Sequence, residues 1–312
     1  MKALVTGGAG FIGSNIVDAL LERGDEVVVV DDLSTGRESN LDGAKQAGAV
    51  LRVQDIRDGD ALKAIFAEER PDVIFHLAAQ IDVRKSIEDP AWDSSINVTG
   101  TINVLEAARA ADVKRVVNTS TGGAIYGDTE HIPTPETADP QPMAAYGQSK
   151  FCAERYVGWE HRLYGRSGVT LRYGNVYGPR QDPLGEAGVI AIFCGKIATG
   201  GRPTIYGDGT QTRDYVYVGD VVAANLAAAA SDVVGEVNIG TGRETSVLDI
   251  VDALKAAAPD KADGFEPVLE DGRLGEVQRS CLDVTKAQQE LGWTASVDIR
   301  DGLARTLRSA EG

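Results

Sequence analysis

The sequence predicts an α/β fold: a doubly wound parallel sheet with helices on both faces, and a smaller C-terminal lobe. Short apolar segments alternate with longer segments of helical periodicity through the first half of the chain. Such alternation is typical of β-α-β units, whose parallel strands are buried on both faces. A glycine-rich segment directly follows the first apolar segment. The strand-like segments are 3–5, 26–31, 50–53, 73–77, 115–118 and 169–173.

The ends of two helices and the beginning of a second lobe can also be predicted. Gly24 closes a helix over 11–23, and Pro71 stops a helix over 58–69, since glycine favours helix C-termini and proline cannot continue a helix. After residue 173 the pattern becomes irregular and rich in Gly and Pro turn signals. We therefore predict a main domain over 1–174 and a smaller lobe over 175–312, with about 214–242 returning to the main domain.

The net charge and the cysteine content limit the possible binding partners and the cellular compartment of the protein. The 312 residues include 31 Lys and Arg against 47 Asp and Glu, a formal charge of −16, which repels nucleic acid and anionic membranes. No apolar segment approaches the length of a bilayer span, and no leader-like segment precedes the first strand. Cys152, Cys194 and Cys281 lack disulfide or metal spacing. We expect a cytoplasmic protein without a metal, nucleic-acid or membrane partner.

The glycine-rich segment predicts a dinucleotide site. Gly7, Gly10 and Gly13 lie between the first strand and the first helix. Glycines there permit a tight turn and let backbone amides approach a pyrophosphate at the helix N-terminus. Asp31 ends the second strand, where a carboxylate accepts hydrogen bonds from the adenine ribose and repels a 2′-phosphate. This predicts NAD rather than NADP, although Asp31 and Asp32 could instead form only a solvated turn.

A tyrosine and a lysine form the candidate catalytic pair. Tyr146 and Lys150 are four residues apart near the start of a helix, which brings both to one face. A free phenol titrates near pH ~10, so it needs a neighbouring cation to act as a base. Lys150 and a cationic nicotinamide ring would supply that charge. By itself the same spacing more often marks an exposed helix face, but the glycine loop upstream reverses these odds.

Together these motifs resemble the extended short-chain dehydrogenase/reductases, and more narrowly the NAD-dependent epimerase/dehydratase family with its UDP-sugar 4-epimerases. The resemblance runs nearly end to end. It implies a Rossmann-like fold, tightly held NAD, a homodimer, and epimerisation at C4 of a UDP-hexose through a transient 4-keto sugar. The landmarks are residues 7–13, 76–80, 97–101, 120–127, the Tyr146/Lys150 pair and 213–215.

The resemblance also implies residue roles. The tyrosine removes the proton of the sugar 4-hydroxyl, and a hydroxyl from the loop after the fifth strand shares it. Ser120 and Thr121 are the candidates for this hydroxyl. In the family pattern, the catalytic hydroxyl lies a set number of residues before each of two tyrosines. Counting back from Tyr126 puts it at Gly122, whereas counting back from Tyr146 puts it at Thr121, which we favour. The alternative is that Thr121 only caps a turn.

Residues 1–174 then form the NAD-binding domain and 175–312 the nucleotide-sugar-binding lobe. The dimer would form through helices around 93–111 and 144–164. Asp55 and Ile56 would bracket the adenine, although an acid there could equally begin a helix. The implied cofactor contacts are Gly7, Gly10, Phe11, Ile12, Gly13, Asp31, Asp32, Ser34, Thr35, Gly36, Asp55, Ile56, Leu77, Ala78, Ala79, Gln80, Asn97, Thr119, Tyr146, Lys150 and Tyr173. The implied substrate contacts are Arg84, Thr121, Gly122, Gly123, Tyr146, Asn175, Gly188, Val189, Thr204, Ile205, Tyr206, Arg213, Tyr215, Arg273 and Glu276.

Several of these positions bear on the substrate. Arg213 and Arg273 suit a pyrophosphate, because guanidinium donates two parallel hydrogen bonds, and Glu276 suits the uridine ribose; the alternative for all three is an ordinary surface salt bridge. Ser280 is small where homologues place an aromatic gate, which leaves room for an N-acetyl group. Arg84 and Lys85 would meet a C6 carboxylate, or be merely solvated. UDP-glucose, UDP-N-acetylglucosamine and UDP-glucuronate all stay open as substrates.

Three other functions compete with an epimerase. A nucleotide-sugar 4,6-dehydratase shares the fold, the NAD and the tyrosine, but those enzymes usually place Asp-Glu after the loop threonine, where this chain has Gly122 and Gly123. An NADPH-linked reductase is disfavoured by Asp31. A non-catalytic NAD-binding regulator would have no need of Tyr146 or Lys150.

Overall fold

The structure is a computed structural model that describes residues 1–183, 188–272 and 277–311. The strands are β1 Lys2–Thr6, β2 Glu26–Asp31, β3 Val50–Val53, β4 Val73–His76, β5 Arg115–Thr121, β6 Ser167–Tyr173, β7 Asn175–Tyr177, β8 Thr204–Tyr206, β9 Thr212–Arg213, β10 Tyr215–Tyr217, β11 Gly235–Ile239, β12 Thr245–Ser246 and β13 Val268–Glu270. The helices are α1 Phe11–Glu22, α2 Asp42–Gln46, α3 Gly59–Glu69, α4 Val83–Glu88, α5 Pro90–Ser94, α6 Thr101–Ala110, α7 Gly122–Ile125, α8 Ala145–Tyr164, α9 Val189–Ala198, α10 Val218–Ala229, α11 Val247–Ala257, α12 Thr285–Leu291 and α13 Ile299–Glu311. A π-helical turn spans Ser95–Gly100, and 3₁₀ turns span Glu38–Leu41 and Pro259–Lys261.

The main sheet has seven parallel strands in the order β11-β6-β5-β4-β1-β2-β3. The chain order reverses between β1 and β4, which is where ligands bind in doubly wound sheets, at the carboxyl ends of the strands. The predicted fold class is confirmed. β11 joins this sheet beside β6 late in the chain, after the short pieces β7 to β10.

Alternate residues of the strands supply two separate cores, one on each face of the sheet. Ala3 and Val5 of β1 pack in a cluster with Ile16 of α1 and Val221 of α10. Leu4 lies between them in sequence and packs on the opposite face with residues of α3 and α6. Because side chains alternate across a strand, one run of apolar residues serves both helical layers.

The predicted helix ends agree with the structure to within one residue, for identifiable reasons. α1 ends at Glu22, and Gly24 turns the chain with a φ of 85°. α3 begins at Gly59 because Asp58 is the N-cap, its side chain accepting a hydrogen bond from the Ala61 amide at 3.0 Å.

In the predicted second lobe, the described residues form short strand pairs and a core of their own. β7 pairs with β10, β8 with β13, and β9 with β12. Its core gathers apolar side chains of α9, α11 and α13, among them Phe193, Leu254 and Leu303. The division between the two lobes stays a prediction. In the described ranges, no helix combines the length and apolar character needed to cross a membrane.

Candidate active site

The glycine loop has the geometry of a pyrophosphate cradle. Gly7 has a φ of 70°, and a Cβ on it would lie 2.6 Å from the backbone nitrogen of Ala78. A Cβ on Gly13 would lie 2.1 Å from the carbonyl oxygen of Gly7, so only glycine lets α1 approach the loop this closely. Phe11 and Ile12 form the first turn of α1 behind the loop. No side chain that the structure describes caps the N-terminus of α1 at Gly10. The backbone amides of its first turn can therefore bind a dinucleotide phosphate.

Asp31 lies at the end of β2 with its carboxylate turned into the glycine loop. Its Oδ2 accepts from the Ala9 amide and its Oδ1 from the Leu33 amide, each at 2.9 Å. Burial raises the pKa of Asp31, while these two backbone donors oppose the rise. Carboxylate oxygens have two lone pairs each, so Asp31 keeps acceptor capacity for ribose hydroxyls. Both this carboxylate and the cradle fit NAD.

Other predicted cofactor residues surround the same crevice. Asp32 begins an exposed turn, its Oδ1 accepting from the amide and hydroxyl of Ser34 at 2.9 and 2.6 Å. The Asp55 carboxylate accepts from the Arg57 guanidinium at 2.9 Å, which holds the pKa of Asp55 below its usual range. The buried Ile56 side chain packs against Gly100. Thr35 and Gly36 continue the loop after β2, and Leu77, Ala78 and Ala79 follow β4.

The imidazole of His76 is buried between two threonines beneath the crevice. Its Nδ1 lies 2.7 Å from Thr6 Oγ1, and its Nε2 lies 2.9 Å from Thr101 Oγ1. Thr101 donates its own proton to the Asn97 carbonyl at 2.7 Å, so we assign Nε2 as the protonated nitrogen and Nδ1 as the acceptor. Burial, followed by the charge of Lys150, lowers the pKa of His76 to about 3. His76 is therefore neutral and structural.

Tyr146 and Lys150 lie on one face of α8, as their spacing predicted. The Tyr146 phenol lies near the Thr121 hydroxyl, and the backbone amide of Tyr146 donates to Ser86 Oγ at 3.0 Å. Burial, followed by the negative charge of Asp93, raises the pKa of Tyr146 to about 12, while the Thr121 contact acts in the opposite direction. Burial lowers the pKa of Lys150 to about 8. The phenol is protonated at neutral pH unless a further positive charge is added.

The two candidate hydroxyls differ in position. Ser120 is 3% exposed, and its Oγ has no hydrogen-bond partner among the described residues. Thr121 Oγ1 accepts from the Ala124 amide at 3.2 Å as the N-cap of α7 and is also the hydroxyl that meets Tyr146. The cap and the catalytic assignment, which sequence reasoning posed as alternatives, are thus compatible.

The two glycines after Thr121 meet different surroundings. A Cβ on Gly122 would lie 2.6 Å from a methyl group of Leu282, so any side chain there would disturb the packing. A Cβ on Gly123 would only make ordinary contacts, at 3.4 Å from Asn175 Oδ1 and 4.0 Å from Thr121 Oγ1. Gly123 therefore borders the space between Thr121 and Asn175.

Two predicted cofactor residues face away from the crevice. The Tyr173 hydroxyl lies 3.2 Å from Thr119 Oγ1 and 3.0 Å from Asn225 Oδ1 on α10. Burial raises the pKa of Tyr173 to about 12. Side chains of Thr119 and Tyr173 therefore belong to the packing of α10 on the sheet, and only their backbone could face a cofactor.

The predicted substrate residues of the second lobe begin beside the catalytic pair. Asn175 and Tyr215 pair in β7 and β10, and the Asn175 amide donates to the Asp214 carbonyl at 2.7 Å. Arg213 is half-buried and donates to the Thr212 carbonyl at 2.8 Å. Gly188 is the N-cap of α9, which starts at Val189. Thr204, Ile205 and Tyr206 form β8.

The remaining substrate predictions fall into three groups. The side chains of Arg84 and Lys85 are 78% and 62% exposed beside Asp82, at 3.9 and 3.6 Å from its carboxylate. The half-buried Ser280 donates its amide to the Thr212 carbonyl at 3.2 Å. Arg273 and Glu276 lie outside the described residues.

The sequence did not predict the buried polar side chains around Tyr146. Ser86, Asp93 and Ser149 are all buried near Tyr146. One signal was available: Asp93 and Asn97 are four residues apart in a helical segment, which places them on one face. Ser86 gave no such signal, because it meets Tyr146 across 60 residues of chain. Among residues that the structure describes, no group of His, Cys, Asp or Glu could hold a metal ion.

Comparison with known proteins agrees with this geometry. The family model for the NAD dependent epimerase/dehydratase family matches residues 3–240. A UDP-glucose 4-epimerase of Mycolicibacterium smegmatis is 46% identical over 311 residues, covering 98% of this chain and 97% of the relative.

Two solved structures are similar over nearly the whole chain. The UDP-glucose 4-epimerase of Thermotoga maritima with UDP-glucose has a TM-score of 0.94 and 45% identity, covering 99% of this chain and 98% of that one. The Thermus thermophilus UDP-glucose 4-epimerase in complex with NAD has a TM-score of 0.91 and 42% identity, covering 100% and 99%.

Proposed function

The chain belongs to the NAD dependent epimerase/dehydratase family, and we propose that it interconverts UDP-glucose and UDP-galactose by epimerisation at C4. The observation that carries this proposal is that the Tyr146 phenol lies near the Thr121 hydroxyl at the end of β5, with Lys150 one helical turn away. A phenol, a hydroxyl and a cation side by side suit proton transfer to and from a sugar hydroxyl.

NAD is the cofactor, and when bound it supplies the hydride acceptor and donor of the reaction. The glycine loop at 7–13 and Asp31 would hold it. Tyr146 accepts the proton of the sugar 4-hydroxyl, and Thr121 shares the hydrogen bond as the proton moves. Lys150 stabilises the phenolate by its charge. After the keto sugar has rotated in the site, Tyr146 returns the proton to the C4 oxygen, which gives the opposite epimer.

The second lobe would hold the UDP group. Arg213 lies two residues before Tyr215, which pairs with Asn175, and its guanidinium would suit a pyrophosphate. The protein is strongly acidic overall, so a local cation is needed to bind this anionic ligand. Whether the pocket also accepts UDP-N-acetylglucosamine or UDP-glucuronate depends on the side chains around Ser280 and Arg84.

A nucleotide-sugar 4,6-dehydratase is the weaker candidate. That reaction needs an acid and a base to eliminate water across C5 and C6. Gly122 cannot be replaced by an acidic residue without displacing Leu282, and Gly123 has no side chain to offer. The loop after Thr121 therefore lacks the acid/base groups.

Incubation with UDP-glucose, UDP-N-acetylglucosamine and UDP-glucuronate separately, without added NAD, tests the function. We expect chromatography to show UDP-galactose from UDP-glucose, at an equilibrium reached from either side. The variant Tyr146→Phe is the matched control, because it removes only the phenolic oxygen. A 4-keto-6-deoxy product, or no product from any of the sugars, contradicts the proposal.

We further propose that the protein is a homodimer formed through α8. Tyr156, Trp159, Leu163 and Tyr164 on this helix are between 39% and 57% exposed. Edge-to-face contacts join the Trp159 ring to those of Tyr156 and Tyr164. Clustered exposed aromatic side chains mark an interface more often than a free surface. Light scattering should give twice the chain mass for wild type and the monomer mass for Trp159→Glu. Leu269→Glu, at an exposed position of the other lobe, is the control and should stay dimeric.

A cytoplasmic location is proposed on the state of the cysteines. Cys152, Cys194 and Cys281 are free thiols, and the last two are buried, which suits a reducing compartment. Fractionation of cells that produce the native chain should recover it with cytoplasmic markers, and recovery from a secreted fraction would contradict the assignment.

A further inference from the structure

A fully buried carboxylate lies next to the turn of α8 that carries Tyr146 and Lys150, which we call the catalytic turn. One of its oxygens has no hydrogen-bond partner among the described residues. Asp93 is 0% exposed. Its Oδ1 accepts from Gln80 Nε2 at 2.7 Å and from Asn97 Nδ2 at 3.2 Å. Its Oδ2 has no hydrogen-bond partner among the described residues. Burying a charge without full pairing is unfavourable, so stability of the fold does not account for an acid at this position.

Asp93 is connected to the catalytic turn by two short links. The Asn97 amide that donates to Asp93 also donates to Ser149 Oγ at 3.0 Å. Ser149 lies on α8 between Tyr146 and Lys150 and donates in turn to the Tyr146 carbonyl at 3.0 Å. Asn97 belongs to the π-helical turn, a geometry that often marks a functional position in a helix. The carboxylate thus faces the pair from α5, opposite α8.

The other ionisable groups around Tyr146 and Lys150 are either neutral or already have partners for their charge. His76, from β4, is neutral, and Asp82 lies behind Gln80, capping α4. Glu154, on the next turn of α8, forms a buried ion pair with Arg172 at 2.6 Å. Asp93 forms no such ion pair within the described part of the chain. Its negative charge is therefore the uncompensated one that faces the catalytic pair.

We propose that Asp93 is a positioning residue whose negative charge keeps Lys150 protonated and makes the Tyr146 phenolate a stronger acceptor for the sugar proton. The proposal rests on the catalytic roles proposed above for this pair. Burial is the main cause of the low pKa of Lys150, about 8, and Glu154 and Asp93 oppose it. The charge of Asp93 is second to burial in raising the pKa of Tyr146. Without Asp93, both groups lose their protons at lower pH.

Asp93→Asn separates the charge from the shape of the side chain. The amide oxygen can still accept from Gln80 and Asn97, so the two hydrogen bonds persist while the charge is lost. The control is Asp89→Asn, one helical turn earlier, where an exposed carboxylate caps α5 and asparagine caps equally well. Circular dichroism and thermal unfolding check that each variant is folded.

The pH profile of kcat distinguishes a charge effect from a structural one. We expect both limbs to move to lower pH in Asp93→Asn, by roughly one unit for the loss of a nearby charge, while Asp89→Asn keeps the wild-type limbs. Asp93→Glu, which restores the charge, should return the limbs even if the plateau is lower. A uniformly lower plateau with unmoved limbs would overturn the proposal.

Titration of Lys150 gives a second measurement that does not depend on turnover. Reductive ¹³C-methylation labels the lysines, and the Lys150 resonance is the one missing in Lys150→Met. It should titrate at lower pH in Asp93→Asn than in wild type or Asp89→Asn. An unchanged titration overturns the inference even if wild type proves to have another activity. Should Asp93→Asn not fold, Asp93→Ser removes the same charge and leaves room for a water.

Discussion

Protonation of the unfolded chain at His76 should make the protein lose stability as the pH falls from neutral towards 5. In the folded protein the pKa of His76 is about 3, against an ordinary value of 6.5. Below pH 6.5 the unfolded state therefore binds a proton that the folded state refuses. Each pH unit within this window costs about 1.4 kcal/mol, so the loss between pH 7 and pH 5 is about 2 kcal/mol. The contribution is fully present above pH 6.5.

Urea unfolding of wild type and His76→Gln at pH 7 and pH 5 isolates this contribution. Glutamine does not titrate, and it fills much of the imidazole volume while leaving one threonine hydroxyl unpaired. That unpaired hydroxyl lowers the unfolding free energy by about 1 to 3 kcal/mol at both pH values. The difference between the two pH values should be about 2 kcal/mol smaller in the variant than in wild type.

His131→Gln is the control, because His131 is exposed and its removal also deletes one histidine. Its pH dependence should match that of wild type. The opposite outcome is that His76→Gln loses as much stability as wild type between pH 7 and pH 5. In that case the imidazole takes up a proton inside the folded protein, and the threonine network does not hold it neutral.

Four other predictions concern Tyr146, Asp31, the buried carboxylate of Asp214 and Ser280. Tyr146→Phe should lower kcat roughly a hundredfold to ten-thousandfold while UDP binding, measured by calorimetry, stays within about threefold; near-normal turnover would mean that another group is the base. Asp31→Ala should weaken NAD binding by on the order of 1 kcal/mol or more and reduce the preference over NADP, measured by fluorescence titration with each. Asp214 accepts hydrogen bonds from Thr241, Gly242 and Leu282, so Asp214→Ala should cost about 3 kcal/mol in urea unfolding. Ser280→Tyr should lower the rate with UDP-N-acetylglucosamine relative to UDP-glucose by a factor that corresponds to about 1 to 3 kcal/mol, and an equal loss with both sugars would show that Ser280 does not border the sugar.

Much of the fold could be predicted because its signals are local. Gly24 and Pro71 mark helix ends through their own backbone chemistry, and the glycine loop is one continuous segment. The length of β5 could not be predicted, since the strand continues to Thr121 only because that residue pairs with Tyr173 of β6. Ser120 and Thr121 therefore lie on the strand end rather than in a loop, and the pairing partner is 52 residues away.

The same distinction holds for the candidate site. Tyr146 and Lys150 could be predicted as a pair because four residues of helix bring them together. The contacts of Asp93 depend on how α5 packs against α8, and Asn97 meets Ser149 across 52 residues. Apolar periodicity does not report such contacts, because a buried carboxylate in a helix reads as a polar residue on its exposed face.

The paired glycines after Thr121 show why a motif alone did not assign roles. In the sequence, counting back from Tyr126 puts Gly122 at the position of the catalytic hydroxyl, and no local signal separates the role of Gly122 from that of Gly123. In the structure, Gly122 is required by Leu282, whose methyl group would lie 2.6 Å from any Cβ there, whereas Gly123 faces Asn175 across ordinary contact distances. The first glycine is thus set by packing against a segment 160 residues later, whereas no close neighbour requires a glycine at the second position. Gly122 packs against Leu282, and Thr121 immediately before it caps α7 and lies near the Tyr146 phenol.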